Sequence, residues 1–217
     1  MNEEVDKSQF HKVKSLFDIF KASKGIKPNK FNIYFLSIFM AFSILDLIVS
    51  QYTANDLANI TRGVAEVGLN LTVGLLGFLV AGFAIFASIT TPKLSIFMAS
   101  KINPESGVSY LLHSYFNFIN VFIFYFIAVA IFFSIIIFGR DGGLAERLVC
   151  YFNLRPEYIF CIICFAYLAA VASCVYSGLL LKSFVYNIYH SIMTALRYEV
   201  TFQKKIDTSP TPAEPPL

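Results

Sequence analysis

The sequence predicts an all-α, polytopic membrane protein with four transmembrane helices and helical extensions on the cytoplasmic side. Three observations carry this. Of the 217 residues, 57% are hydrophobic and only 14% are charged, against about 25% charged in an ordinary soluble domain. Twenty-four Phe and twelve Tyr are more aromatic surface than one water-exposed fold of this size can hide, so much of it must face lipid. Finally, four apolar stretches reach the roughly 20 residues that a helix needs to cross about 30 Å of hydrocarbon.

The elements follow in chain order. Residues 1–30 form a basic cytoplasmic leader in which Phe10, Val13, Leu16, Phe17 and Phe20 recur at helical spacing, with Lys12, Lys14, Lys21 and Lys24 around them and Gly25 as a stop. This predicts an amphipathic helix lying on an anionic leaflet. Residues 31–181 are the four-span membrane domain. The first span, 31–49, holds Asp46 as its only charge; it begins after thirty mainly polar residues and is expected to remain in the mature chain rather than act as a cleaved signal. Thr53 and Asp56 form a capping-box pattern, predicting a helix start that runs into the second span, 69–89. Thr91-Pro92 and Asn103-Pro104-Glu105 each pair a cap residue with Pro at the first helical position. The third helix is therefore expected to begin near Pro104 and to cross the bilayer over 115–138. The fourth span is 159–181. Past it, Phe184, Val185, Ile188, Ile192, Ala195 and Leu196 keep helical spacing, so 182–206 reads as a cytoplasmic helical extension. The proline-rich segment 207–217 reads as a disordered tail.

Charge sets the orientation. Thirteen Lys and Arg fall on the side of the two termini, and four (Arg62, Arg140, Arg147, Arg155) on the other. The excess of basic residues marks the cytoplasmic face, so both termini are expected inside. The net charge of +3 is too mild to predict direct nucleic-acid binding.

No enzyme signature stands in the chain. There is no phosphate-binding glycine loop and no His-Glu-x-x-His, and His11, His113 and His190 lie in separate segments. No catalytic residue, metal site or cofactor is predicted. Cys161 and Cys164 have the spacing of a zinc or redox pair but sit inside an apolar span with no second ligand pair, and read as packing residues. Asp46 is the single ionisable group inside a span. Such groups are functional candidates by default, but Asp46 stands about one turn from the span's outer end, near Ser50 and Gln51, where a structural role is favoured.

The strongest patterns are stripes of small residues. In span two, Gly74, Gly77, Ala81, Ala84 and Ser88 follow spacings of three and four; in span four, Ala166, Ala170, Ser173 and Ser177 do the same. Small residues let helix backbones approach closely in lipid, where packing rather than hydrophobic burial drives association. The two spans are thus expected to pack tightly on each other or on further copies in a homo-oligomer. Span three is crowded with Phe on every side and is expected at the perimeter or interlocking between subunits.

The basic leader, the four spans, the glycine–alanine run from Gly74 to Ser88 and the short cytoplasmic tail together resemble the membrane subunit of the Kiwa anti-phage defence system. The resemblance implies a bacterial inner-membrane homo-oligomer that senses phage attack at the envelope and works with a soluble, cytoplasmic, DNA-binding partner. It supplies no residue-level assignment. The expected function is accordingly a non-enzymatic membrane sensor or scaffold that recruits or signals to a soluble partner; the alternative is an ion channel or membrane-permeabilising effector built from oligomerised four-span subunits.

Overall fold

The computed structural model describes residues 29–104 and 107–207, with side chains through Thr201. Six helices make up the described chain: α1 (Lys30–Val49), α2 (Ala54–Ile89), α3 (Pro92–Ser100), α4 (Tyr110–Phe138), α5 (Leu144–Phe152) and α6 (Pro156–Asp207). Among the described residues the only extended pairing is an isolated bridge between Ile102 and Ser109. Four of the helices, α1, α2, α4 and α6, are long and apolar enough to cross a membrane, and the chain is a multi-pass membrane protein. The amphipathic leader, with Lys12, Lys14, Lys21 and Lys24, lies outside the described residues, as does 208–217.

Local chemistry fixes most of the boundaries. Asn29 caps α1 by accepting from the Phe31 amide, Thr53 caps α2 by accepting from Asp56, and Thr91 caps α3 by accepting from Leu94 with Pro92 at the first helical position. The expected start at Pro104 is not observed. Asn103 instead closes a tight loop, its amide donating to the Val108 carbonyl and its carbonyl accepting from Gly107, which stands at φ +70. A helix from Pro104 would have to pass through that left-handed backbone. Ser109 caps α4 instead, five residues later.

The four long helices alternate in direction, so the described N- and C-terminal ends and α3 share one end of the bundle, called here the terminal end. α6 is the hub: it packs on α1, α2 and α4, and α2 also packs on α4. Three apolar layers stack along α6. Ala65, Ala128, Phe132 and Ala170 fill the layer farthest from the termini. Leu79, Phe86, Phe118, Val121, Tyr125 and Phe184 form the middle one, where Phe118 bridges Phe86 and Phe184 at ring separations of 4.7 and 5.3 Å. Leu94, Met98 and Leu111, with Ala195 and Tyr198 against them, close the terminal end.

α4 and α1 differ in how deeply they pack. α4 buries Phe118, Tyr125 and Phe132 between α2 and α6, while Phe126, Phe133 and Phe138 stay exposed on its other side; its aromatic residues thus both fill the bundle and face outward. The peripheral helix is α1, which buries only Asn32 and Ser43. Between α1 and α4 an open apolar groove runs over α6, lined by Leu36, Phe124, Ile131, Ala172 and Tyr176.

Candidate functional site

The region with the most chemistry outside the apolar layers is the terminal end, where α6 leaves the bundle. As a 52-residue helix it is about 78 Å long at 1.5 Å per residue, more than twice the thickness of the hydrocarbon core. Its extension is two-faced. Ala195 and Tyr198 pack toward α3, with the Tyr198 ring 5.0 Å from that of Phe97. Away from α3, Tyr186, Tyr189, Leu196 and Val200 are exposed, the last two at 55% and 69%. Tyr186 and Tyr189 stand within about two turns of Lys182, where interfacial aromatics are expected. Leu196 and Val200 lie about 21 and 27 Å further along the helix axis than Lys182, beyond the reach of the acyl chains of a bilayer that ends there.

A polar latch joins α6 to α1 near the terminal end. Asn32 of α1 is 3% exposed; its Nδ2 donates to Ser183 Oγ at 3.0 Å and toward the Leu179 carbonyl at 3.5 Å, and its Oδ1 accepts from Lys182 Nζ at 3.1 Å. The same ammonium sits 4.0 Å above the Phe31 ring, a cation–π contact that shields one side of the charge. Since α1 buries little else, this cluster is its main specific attachment to α6. In sequence, Asn32 looks like the polar end of the leader and Lys182 like one more basic residue beyond the fourth span, so neither signals an interhelical contact.

The expected stripes fall on opposite sides of the packing. Gly74, Gly77, Ala81, Ala84 and Ser88 are all exposed on the outer surface of α2, and a Cβ built on Gly74 or Gly77 meets nothing within 4 Å. α2 turns the other face into the bundle, against α4 and α6: Thr61, Ala65, Gly68, Thr72, Leu79, Gly82 and Phe86 are buried at spacings of three, four and seven. That register is two residues, or about 200°, around the helix from the exposed stripe. A Cβ on Gly68 would stand 2.5 Å from the Phe132 ring, and one on Gly82 2.6 Å from Phe184 and Ile188. In α6 the expected residues do face inward. Ala170, Ser173 and Ser177 are buried and Ala166 is half-buried, Ser177 donating to the Ser173 carbonyl while its own carbonyl accepts the buried Tyr125 hydroxyl at 2.7 Å.

Asp46 is exposed at the far end of α1, and both its oxygens are engaged locally: Ser50 Oγ donates to Oδ1 at 2.9 Å and Tyr52 OH to Oδ2 at 3.2 Å. At the same end Arg62 of α2 reaches Asp141 in the α4–α5 loop at 3.0 Å. Cys150, Cys161, Cys164 and Cys174 are free thiols. Among the described residues no group of three His, Cys, Asp or Glu is placed to hold a metal ion. Comparison of the chain with protein-family models, with curated proteins and with solved structures finds no match.

Proposed function

We propose that the chain is a non-enzymatic membrane scaffold or sensor that passes a signal from the bilayer to a soluble cytoplasmic partner through the extension of α6. The observation that carries this reading is the exposed apolar pair Leu196 and Val200, held on a helix continuous with the membrane bundle and, with the bilayer boundary set at Lys182, beyond the hydrocarbon. Apolar side chains kept at that height on an ordered helix fit a helix-in-groove contact with a partner protein. Because α6 also packs on α1, α2 and α4, a shift of any membrane helix acts on the same rod that presents the contact. The basic excess on the terminal side supports a cytoplasmic placement of this surface. The exposed stripe from Gly74 to Ser88 supports self-association through α2. On the resemblance stated above, the setting is a bacterial inner membrane under phage attack and the partner is DNA-binding. The bundle interior is filled by Leu79, Phe86, Phe118 and Tyr125, so a channel would have to lie between subunits. The test is co-isolation of the soluble partner with the full-length chain and with a Leu196→Glu, Val200→Glu variant. The reading expects retention by the first and loss by the second at equal membrane expression; equal retention rejects this contact surface.

A further inference from the structure

We infer that α5 is an interfacial helix whose apolar face beds into the leaflet at the end of the bundle opposite the termini. α5 is sharply bounded. Gly142 at φ +68 and Gly143 precede it, the Gly142 amide donates to the Glu146 carboxylate at 2.6 Å, and Asn153 ends it in the left-handed region with its amide on the Cys150 and Val149 carbonyls. Its composition is two-sided. At 100° per residue, Leu144, Ala145, Leu148, Val149, Tyr151 and Phe152 fill an arc of about 160°, and Glu146, Arg147 and Cys150 fill the rest. Yet α5 buries nothing against the protein: Leu144, Leu148, Tyr151 and Phe152 are 52%, 45%, 83% and 64% exposed.

The occupant of that face follows from where the helix is tethered. Phe138 ends α4 and Pro156 begins α6, and both belong to helices long and apolar enough to span the bilayer, so each stands within about two turns of its surface. Five residues separate α4 from α5 and three separate α5 from α6. Linkers of that length reach no more than about 20 and 14 Å when fully extended, which holds both ends of the helix beside the membrane surface. The apolar arc is then continuous with the lipid-facing surface of the spans. Tyr151 and the exposed Tyr158 are of the residue type of an interfacial aromatic belt, and Arg140, Arg147 and Arg155 supply cations for lipid phosphates at the same end. A short helix with one apolar face, a polar face of Glu146, Arg147 and Cys150, and an arginine in each flanking linker fits the bilayer interface itself rather than water.

The chain contains no Trp, so a single introduced Trp reports its own surroundings. The full-length chain is reconstituted in phosphatidylcholine–phosphatidylglycerol vesicles, with and without lipids brominated in the acyl chain, with Trp placed on the apolar arc (Phe152→Trp, or Leu148→Trp should the first variant fold poorly) or on the polar face (Cys150→Trp). The inference expects brominated lipid to quench the arc position at least threefold more than the polar position. Iodide supplied on both sides of the vesicle should show the reverse order. Equal quenching of the two faces by iodide overturns it. So does an arc Trp shielded from both quenchers whose emission shifts on dilution of the protein in lipid, because a second copy of the chain is then what covers the face.

Discussion

Asn32 Oδ1 on α1 accepts from Lys182 Nζ on α6 at 3.1 Å, joining the first and last of the four long apolar helices. Ser183 takes the other end of the same amide. Interhelical hydrogen bonds in membranes are worth about 0.6 kcal/mol on average and up to about 1.7. Asn32→Leu is expected to lower bundle stability within that range, read as a lower midpoint of thermal unfolding in detergent, and to make α1 more accessible to protease. No change in either would mean that the apolar contacts of α1 alone hold it in place.

The two glycine faces of α2 make opposite forecasts. Intrinsic helix propensity favours Ala over Gly by about 1 kcal/mol, so Gly77→Ala, with open space around it, is expected to stabilise the chain slightly. Gly68→Ala places a methyl 2.5 Å from the buried Phe132 ring and is expected to destabilise by about 1–3 kcal/mol. Gly77→Leu then isolates the role of the outer stripe: lost crosslinking between copies with an unchanged unfolding midpoint assigns it to self-association. The same sign of effect at Gly68 and Gly77 would contradict the packing.

How far the sequence led depends on the kind of signal. Spans and the caps at Thr53 and Thr91 were legible, because hydropathy over 20 residues and a side chain bonding three residues ahead are local properties. Which small-residue face of α2 turns inward was not. Gly68 and Gly82 look like Gly74 and Gly77 until Phe132 and Phe184 arrive from other helices. The same is true of α4, whose aromatic residues have no sidedness in sequence and gain one only from packing. Asn103-Pro104 carried a helix-start pattern that Gly107 overrode. α5, only nine residues long between Gly143 and Asn153, was too short for a span-length window to register.

Thr72 offers a test of the buried seam. It is fully buried on the inward face of α2, and no protein group bonds its Oγ1. An unsatisfied buried hydroxyl costs about 1–3 kcal/mol, and Val has nearly the same shape. Thr72→Val is therefore expected to raise the unfolding midpoint; a lower midpoint would show that the hydroxyl has a partner in the assembled protein.

At the far end, Asp46 bonds Ser50 and Tyr52 on an exposed surface. Asp46→Asn keeps one acceptor oxygen and is expected to assemble and function normally, while Asp46→Leu loses both bonds and is expected to weaken the outer end of α1. A fully assembled Asn variant without activity would point to a titrating charge and to the channel reading.

The central claim is that the α6 extension delivers the signal to a soluble protein. Its most direct test is in-cell photo-crosslinking from a benzophenone side chain at position 200 of the full-length chain, before and after phage challenge. The account predicts one discrete adduct with a soluble cytoplasmic protein, altered in yield by challenge and abolished by Leu196→Glu. Adducts only to lipid or to further copies of the chain, unchanged by challenge, would contradict it.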